Sequence, residues 1–379
     1  MPDRLRIGMI APPWVPVPPR GYGGTELVVD ELARGLERAG HHVVLWTTGD
    51  STCPVERRGV LDRAAGTEAS TDVEVHHVAD AYDSLRDCDL IHDHTFLGPL
   101  WAVNEPRSAP VAATVHGTFT PASRALYGSV AGRVSVVAIS AHQRSTAPEV
   151  DVRAVIHHGI DPPSDWRRTG DGGYLAFLGR MNPDKGVVEA IRIARAAGRR
   201  LVIAAKMWEP AERAYFDAEV APLLGPDAEY IGHVSGPAKH ELLAGADALL
   251  NPIRWPEPFG LVMIEAFGAG TPVITLAGGA APEIVEHGRT GFVCTDESEM
   301  VAAIGRVEEI ERWACRRAAV TRFSAERMVA RHLELYRRML DPATPVRSRS
   351  VRIGRPRPAD PPPSRRPGGS GAPDRAHSA

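Results

Sequence analysis

The sequence predicts an α/β protein built from two doubly wound parallel sheets. Short apolar runs alternate with helical patterns along most of the chain, which is typical of strands joined by crossover helices. With 379 residues and 43% hydrophobic content, the chain is long enough for two domains with separate cores. A stretch rich in turn residues, 159–173, interrupts the alternation near its middle. We therefore expect one sheet on each side of this break.

Each predicted strand is a short apolar run bounded by turn residues. The first sheet is expected to take its strands from near residues 5–10, 42–48, 73–78, 88–93, 111–116, 134–140 and 153–157. The second is expected to take its strands from near residues 173–179, 200–205, 228–234, 247–252, 272–275 and 290–294. These runs place one Rossmann-like domain over residues 1–160 and another over residues 172–322. Ser324 then begins a predicted amphipathic helix to residue 340.

The composition changes at Asp341. The segment 341–379 carries eight arginines, three aspartates and many prolines but no aromatic residue, which predicts disorder. Its formal charge is +5, so residues 1–340 carry −8 of the total −3. A body this acidic is not typical of a nucleic-acid-binding protein. The tail is interpreted as a dispensable end. The alternative is a peripheral contact between the basic tail and an anionic inner membrane face.

The cysteines and the apolar segments predict a cytoplasmic location. Cys53, Cys88, Cys294 and Cys315 have neither metal-ligand spacing nor a paired framework, which fits a reducing compartment. No segment approaches the roughly 20 apolar residues of a membrane-spanning helix, and the N-terminus does not resemble a signal peptide. The abundance of arginine, alanine, glycine and proline beside only three lysines indicates a GC-rich bacterial genome.

The most informative segment runs from Trp255 to Pro272 and contains two acids, Glu257 and Glu265, separated by seven residues. Phe259 and Gly260 allow a tight turn before a short apolar helix. The unpaired N–H groups at the start of such a helix favour a phosphate. The two acids can then accept hydrogen bonds from hydroxyls on either side of that phosphate. The alternative is a proline-bounded loop whose acids are solvated or ion-paired.

A second segment, residues 177–186, reads as a strand, a polar loop and the start of a helix. Arg180 and Lys185 both lie in the loop. A guanidinium fork and an ammonium group beside two phosphates neutralise a diphosphate and make it a better leaving group. Lys185 is one of only three lysines, which favours a role that needs a compact charge. The alternative is an ordinary solvated loop.

A glycine-rich loop follows the first predicted strand and leads into a helix. Gly23 and Gly24 allow a ligand to approach the backbone closely, and the arrangement is typical of phosphate-facing loops in doubly wound folds. The spaced G-x-G-x-x-G pattern is absent from it, so a nicotinamide cofactor is poorly supported and no cofactor is expected. Glu26 is either a contact to a bound ligand or a helix cap.

Two further candidates follow apolar strands. His116 comes directly after one of them, at the edge where ligands of parallel sheets gather. Asp93 ends another and is a candidate contact to a bound ligand, whereas its neighbours His92 and His94 are interpreted as structural. Consecutive residues on a strand point to opposite faces, so these three cannot ligate one metal. No Asp-x-Asp motif stands at a strand end, and no metal is expected.

Together these segments resemble the retaining glycosyltransferases of family 4, which have the GT-B fold of two Rossmann-like domains facing each other across a cleft. The resemblance covers nearly all of residues 4–340. It implies that Glu265 holds the ribose of a nucleotide sugar and that Glu257 holds the transferred hexose. It also implies that the backbone of Phe259, Gly260 and Leu261 contacts the sugar and the diphosphate.

The same resemblance assigns the remaining motifs. Arg180 and Lys185 would bind the diphosphate, and His116 would contact the hexose. Gly23 and Gly24 would lie at the mouth between the domains and face the diphosphate and the acceptor. The first domain would bind the acceptor and the second the donor. Glu26 would contact the acceptor unless it caps the helix, and Asp93 would lie on the acceptor side or the sugar side. The helix over 324–340 would cross back onto the first domain. The sequence departs from the family at the hinge, where His158 stands in place of the usual asparagine before glycine.

The expected function is metal-independent transfer of a hexose, with retention, from a nucleoside-diphosphate sugar to a hydroxyl group. The acceptor would be a small molecule, a glycan or a lipid-linked sugar, and its identity and the donor base stay open. The form of the motifs looks closest to a bacterial subgroup that includes transferases of antibiotic assembly. The alternatives are a GT-B regulator or scaffold that binds a nucleotide sugar without turning it over, and a GT-B epimerase or phosphorylase.

Overall fold

The computed structural model describes residues 4–66, 69–104, 109–163 and 172–341. Within them, thirteen strands form two entirely parallel sheets, one of seven strands and one of six. The first sheet lies in the amino-terminal lobe and the second in the carboxyl-terminal lobe. The predicted α/β class with two doubly wound sheets is therefore confirmed. The tail predicted to be disordered lies outside the described residues after Asp341.

The sheet of the first lobe is wound in both directions from its central strand. Strands β1 to β7 span Arg6–Ile10, His42–Trp46, Glu56–Arg58, Leu90–Asp93, Val111–Val115, Val134–Ala138 and Val152–Val155. Their spatial order is β3-β2-β1-β4-β5-β6-β7. The chain thus reverses its winding direction between β1 and β4. The loops that leave these two strands separate there and open a crevice at the carboxyl edge of the sheet.

The sheet of the second lobe repeats this plan. Strands β8 to β13 span Tyr174–Arg180, Arg200–Lys206, Ala228–Tyr230, Ala248–Asn251, Val273–Leu276 and Gly291–Cys294. Their order is β10-β9-β8-β11-β12-β13, so the winding reverses between β8 and β11. The segments that carry the predicted diphosphate and acidic motifs leave these two strands. The topology therefore brings motifs about seventy residues apart in sequence to one place.

Thirteen α-helices in the described residues cover the sheets. Helices α1 to α13 span Gly24–Arg38, Thr71–Ser84, Gly98–Asn104, Pro121–Val130, Ala141–Ser145, Val187–Ala196, Pro210–Tyr215, Gly236–Gly245, Leu261–Gly268, Ala281–Ile284, Glu297–Ile304, Arg312–Arg322 and Ala325–Leu340. Because helices pack on both faces, the central strands are buried along nearly their whole length. This explains why their sequences read as continuous apolar runs.

The last helix, α13, belongs to the core of the first lobe. Met328, Leu333 and Tyr336 of this helix pack with Ile7 and Leu45 of the first sheet. The Ser324 side chain caps the helix by accepting a hydrogen bond from the Arg327 N–H. The chain thus leaves the first lobe, builds the second, and returns.

Two chain segments join the lobes side by side. Ile160 donates its N–H to the Phe323 carbonyl over 2.9 Å, and Ala325 donates to the Ile160 carbonyl over 2.8 Å. Gly159 allows this close approach, because a Cβ there would lie 2.3 Å from the Ser324 carbonyl oxygen. The outgoing and returning segments are therefore hydrogen-bonded to each other where they cross.

One predicted strand is wrong. Residues 73–78 belong to helix α2, not to a strand. The alternating valines Val73 and Val75 imitate a strand, but the buried positions His77, Val78 and Ala81 have helical spacing. The helix forms because the buried face of the whole segment Thr71–Ser84 has helical spacing, whereas the alternating valines cover only a few residues. The structure has instead the short edge strand β3, which is polar and gave no apolar signal.

The four cysteines are buried and none forms a disulfide. Burial raises the pKa of Cys53, Cys88, Cys294 and Cys315, first among the causes of each shift. They are therefore apolar core residues, not reactive thiols. No helix in the described part of the chain is long and apolar enough to cross a membrane.

We expect Gly186→Ala to destabilise the protein by at least about 1 kcal/mol more than Gly198→Ala. Both glycines have a positive φ, 76° and 64°, so alanine is strained at either position. At Gly186 the added Cβ would also lie 2.2 Å from the Pro252 carbonyl oxygen, whereas Gly198 faces open space. Urea unfolding of the two variants measures the difference. Equal losses of stability would contradict the close packing of the two loops at Gly186.

Candidate active site

A cavity of about 530 Å³ lies between the two lobes. It lies where the carboxyl edges of the two sheets meet, and residues of both lobes line it. A second cavity of about 410 Å³ adjoins it and shares the residues Tyr22 to Thr25. Nine of the twelve predicted site residues line the main cavity: Gly23, Gly24, His116, Lys185, Glu257, Phe259, Gly260, Leu261 and Glu265. Arg180 and Glu26 line the second cavity, and Asp93 lines neither.

The loop after β11 holds Glu257 by its backbone. The Glu257 N–H donates to the Trp255 carbonyl over 2.8 Å, and its carbonyl accepts from the Ala280 N–H over 2.9 Å. Gly279 makes this approach possible, since a Cβ there would lie 2.3 Å from the Glu257 carbonyl oxygen. The carboxylate of Glu257 is thus presented to the cavity from a fixed backbone.

Gly260 starts helix α9 from a left-handed conformation, with φ 94°. This backbone conformation favours glycine, and an added Cβ would also require the tip of the Met263 side chain, 2.5 Å away, to move. Leu261 and Val262 follow at the start of the helix, where N–H groups lack partners within the helix, and both residues line the cavity. Phe259 contributes only its backbone, because its ring is 2% exposed and packs against His158 and Phe323.

Lys185 lies at the end of a short 3₁₀ turn, Pro183–Lys185, capped by the Asn182 side chain. A hydrogen bond of 2.9 Å from the Arg254 N–H to the Asp184 carbonyl joins this turn to the loop of Glu257. The Lys185 Nζ lies 2.6 Å from the Glu257 carboxylate. The diphosphate motif and the acidic motif therefore form one ion pair across the mouth of the cavity.

Glu265 also has a lysine partner, which the sequence analysis missed. Lys239 on α8 lies with its Nζ 2.6 Å from the Glu265 carboxylate. Both side chains line the main cavity. The rarity of lysine in this chain was the available signal, since Lys239 is one of three.

Arg180 is engaged by two carboxylates that sequence analysis did not select. Its guanidinium lies 2.9 Å from Glu209 and 3.0 Å from Glu212. Lys206 lies beside it at the end of β9 and contacts the same acids at 2.8 and 3.3 Å. The hydrogen bond from Lys206, more than the attraction of Arg180, lowers the pKa of Glu209. Arg180 faces the second cavity, not the main one.

Most charged side chains in and beside the cleft are paired with each other. Four cations and four carboxylates contact each other: Arg180, Lys185, Lys206 and Lys239 with Glu209, Glu212, Glu257 and Glu265. An incoming anion reaches Lys185 only by competing with Glu257. Displacement of the carboxylate leaves Glu257 with unpaired oxygens that suit hydroxyl donors. Binding of a phosphate and binding of a hydroxyl are therefore linked at this pair.

Tyr22 is a further cleft residue that sequence analysis missed. It lines both cavities from the glycine-rich loop of the first lobe. Burial, and next the charge of Glu257, raise the pKa of Tyr22 to about 12. The phenol therefore stays protonated at neutral pH and can donate a hydrogen bond at the junction of the cavities. Its position between three glycines was the available signal.

Glu26 lies in the first turn of helix α1, whose N-cap residue is Gly23. It is 5% exposed, and burial raises the pKa of its carboxyl group to about 7. A hydrogen bond from its own backbone N–H, in the turn where N–H groups lack helical partners, acts in the opposite direction. The side chain also lines the second cavity. A helix cap and a contact to the acceptor therefore both stay predictions.

His116 is half-buried and belongs to a column of five histidines, of which the other four are buried. The ring order is His332, His92, His94, His116 and His158, with neighbouring centroids 4.1–5.3 Å apart. The His116 Nε2 lies 2.9 Å from the His94 Nδ1. Burial lowers the pKa of His116 to about 3, so its ring is neutral. Only His116 and His158 of this column line the main cavity.

The expected acceptor role of Asp93 is wrong in this geometry. Its side chain is fully buried and accepts hydrogen bonds from the Tyr82 hydroxyl and from the Thr95 N–H and Oγ1, the last two at 2.7 Å. Burial raises its pKa to about 6. The carboxyl group lies inside the first lobe, at the end of the central strand β4, and its hydrogen bonds with Thr95 hold the loop that follows this strand.

Among the described residues, no group of three or more potential ligands is arranged to hold a metal ion.

The chain matches two family models, one in each lobe. Residues 22–163 match Glycosyltransferase Family 4, and residues 172–309 match Glycosyl transferases group 1. The glycogen synthase of Mycobacterium tuberculosis (strain H37Rv) is 28% identical over 363 residues, covering 80% of this chain and 87% of the relative. The phosphatidyl-myo-inositol mannosyltransferase of Mycolicibacterium smegmatis is 25% identical over 344 residues, covering 80% and 85%.

Solved structures with the same architecture include AviGT4, a glycosyltransferase involved in avilamycin A biosynthesis. It is 29% identical, with a TM-score of 0.68, and the match covers 89% of this chain and 98% of that one. HepE of Anabaena, solved with UDP-glucose, has a TM-score of 0.67 at 19% identity, covering 88% and 99%, and supports the fold alone.

The protein is a glycosyltransferase of the GT-B fold. This class follows from its two parallel sheets, from the cleft between their facing edges, and from the matches to glycosyltransferase family models and relatives. More particularly, its first lobe carries a Glycosyltransferase Family 4 domain and its second a Glycosyl transferases group 1 domain.

We expect acidification below about pH 6.5 to destabilise the protein steeply, because the column of neutral histidines must be protonated on unfolding. A histidine with a lowered folded pKa contributes stability that is present above its unfolded pKa and lost as the pH falls. Burial raises the pKa of Glu26, Glu31, Glu74 and Asp93, which opposes this trend between about pH 4 and 7. The five histidines of the column, together with the buried His77, outweigh these four acids, so the free energy of unfolding falls.

Urea unfolding at several pH values between 7 and 5 measures this dependence. His332→Gln is expected to flatten it, with up to about 1.4 kcal/mol per pH unit for the lost titration. The exposed His76→Gln is the matched control and should leave the slope unchanged. A wild-type stability independent of pH over this range would contradict the burial of neutral histidines.

Proposed function

We propose that this chain is a retaining glycosyltransferase that moves a hexose from a nucleoside-diphosphate sugar to a hydroxyl acceptor without a metal ion. The observation that carries the proposal is the convergence of Lys185, Glu257, Glu265 and the N-terminus of α9 on one cavity between the lobes. A cation and a helix terminus suit the diphosphate, and the two acids suit the hydroxyls of its flanking rings. The second lobe would hold the donor and the first lobe the acceptor.

In this proposal the diphosphate lies at the start of α9. Lys185 exchanges its contact with Glu257 for a contact with the phosphate, and Arg180 approaches from the second cavity. Glu265 accepts hydrogen bonds from the ribose, and Glu257 and His116 contact the hexose. The backbone of Gly23 and Gly24 comes close to the diphosphate from the first lobe. These roles follow the resemblance of the motifs, and the lining of the cavity supports them.

The reaction forms a bond between the acceptor oxygen and the anomeric carbon and breaks the bond from that carbon to the phosphate oxygen. The acceptor attacks from the face on which the phosphate leaves, and a phosphate oxygen takes its proton. Lys185 and Arg180 stabilise the negative charge that develops on the departing diphosphate. Glu257, the carboxylate that would contact the hexose, accepts a hydrogen bond from Lys185. It is therefore not assigned the role of a nucleophile that attacks the anomeric carbon.

The curated relatives support sugar transfer, since they are named as a glycogen synthase and a phosphatidyl-myo-inositol mannosyltransferase. The likeness to AviGT4 supports a place in the subgroup of antibiotic-biosynthesis transferases. We further propose a bacterial cytoplasmic location, with any contact to the inner membrane face peripheral. The acceptor is a hydroxyl-bearing small molecule, glycan or lipid-linked sugar.

Lys185→Ala is expected to lower the turnover number on the order of 10²–10³, because the developing charge of the diphosphate loses its nearest cation. Acceptor-dependent release of free nucleoside diphosphate measures turnover. Arg306→Ala is the matched control: this arginine pairs with Glu309 on the surface and lines neither cavity. Near-normal turnover in Lys185→Ala refutes the assignment. Release that no acceptor stimulates in the wild type favours a non-catalytic binding protein instead.

Glu265→Ala is expected to weaken nucleotide binding, whereas Glu257→Ala is expected to weaken transfer more than nucleotide binding. The two acids lie on opposite sides of the proposed diphosphate site, so each contacts a different ring. Titration calorimetry with UDP and GDP measures binding, and product formation measures transfer. Nucleotide affinity unchanged by Glu265→Ala would show that this carboxylate does not contact the ribose. Surface Glu309→Ala serves as the control.

A further inference from the structure

The second cavity contains a large aromatic side chain that the proposed donor site does not use. Trp208 is 55% exposed and lies at the end of β9, where it lines this cavity. Its ring packs against His233 at 5.5 Å, and the Lys206 Nζ lies 5.1 Å from its centroid. A Cβ at Gly21 would lie 3.4 Å from the indole. Neighbours thus hold the ring in place while half of its surface stays open, which is typical of a ligand contact.

The charges around this aromatic ring are compensated within the protein. Arg180 and Lys206 are the cations of the cavity, and both contact Glu209 and Glu212 at 2.8–3.3 Å. In the proposed function Arg180 turns to the diphosphate, so that Lys206 alone then faces both Glu209 and Glu212. A phosphorylated or carboxylated acceptor therefore meets an excess of negative charge in this cavity. An uncharged acceptor meets no such repulsion. Carboxylate oxygens only accept hydrogen bonds, so they favour a ligand rich in hydroxyl groups.

The position of the second cavity suits a ligand that reacts with the donor. The segment Tyr22 to Thr25 forms a shared wall, since each of these residues lines both cavities. Of these two cavities, Arg180 lines only the second, whereas Glu257 and Glu265 line only the main one. A ligand in the second cavity contacts the first lobe at the shared wall and the second lobe at Trp208 and Glu209. Where it extends past Tyr22, it reaches the main cavity, in which the proposed donor binds.

We propose that the second cavity binds the acceptor, and that the acceptor ends in an uncharged sugar whose ring packs on Trp208 while its hydroxyls bond to Glu209. This inference rests on the proposed function and adds to it the chemical class of the acceptor. The apolar face of a pyranose ring suits the indole, and its hydroxyl edge suits the carboxylate.

The test uses the full chain with the UDP- or GDP-sugar that gives the largest thermal stabilisation. Release of nucleoside diphosphate is measured with a panel of methyl glycosides, with the matching hexose 6-phosphates, and with phosphatidylinositol vesicles. We expect release above the rate of donor hydrolysis with a neutral glycoside. Trp208→Ala should raise the KM for that glycoside at least about tenfold, while the Kd for UDP or GDP stays within about twofold.

Two variants control for the loss of an aromatic ring. Trp208→Phe keeps a flat apolar surface and should recover most of the acceptor affinity. Trp313→Ala removes an equally exposed tryptophan from α12 that lines neither cavity, and should change neither constant. A KM shift without a matching change in kcat separates loss of acceptor contact from general damage to the fold.

Three outcomes overturn the inference. Preference for hexose phosphates or phosphatidylinositol shows that the acceptor is anionic. A Trp208→Ala variant that loses nucleotide affinity shows that the indole contacts the donor base. Donor binding and hydrolysis without release stimulated by any neutral glycoside also contradict it. If the wild type neither binds nor hydrolyses any nucleotide sugar, the proposed function itself fails, and that result is distinct from the other three.

Discussion

The structure of the site depends on the reversal of strand order in both sheets. Each reversal separates two loops at the carboxyl edge of a sheet, between β1 and β4 in one lobe and between β8 and β11 in the other. The turn of Lys185 leaves β8 and the loop of Glu257 leaves β11, so adjacent strands bring them within 2.6 Å. The glycine-rich loop leaves β1 and closes the cavity from the opposite lobe. The local sequence determines the conformation of each loop, whereas the strand order determines that the loops lie next to each other.

The sequence was informative where one segment contains its own signal. Continuous apolar runs predicted twelve of the thirteen strands, and the spacing of Glu257 and Glu265 predicted two residues of the main cavity. It failed where the outcome depends on distant partners. Valines at alternate positions obscured the helix α2, and Asp93 could be placed at a strand end but not on a face. Lys206 and Tyr22 were missed because their roles depend on neighbours from other segments of the chain.

The interior beside the cleft is unusually rich in neutral polar groups. His92 is fully buried, with hydrogen bonds of 2.6 Å to the Tyr336 hydroxyl and 2.7 Å to the Thr114 hydroxyl. Tyr336 comes from the returning helix α13, so the polar column ties that helix to β4 and β5. Burial of such groups is costly unless they are hydrogen-bonded, and both ring nitrogens of His92 have a partner. The column thereby fixes the position of α13 on the first lobe, and the contact between His94 and His116 helps to position the His116 ring.

The double crossing between the lobes has a consequence for the integrity of the chain. The outgoing segment at Ile160 and the returning segment at Phe323 are separate covalent links between the same two halves. A protease that cuts once between residues 160 and 172 leaves the second lobe attached through α13, whose apolar face stays buried in the first. The nicked molecule would keep its halves together, held by one peptide link and one embedded helix.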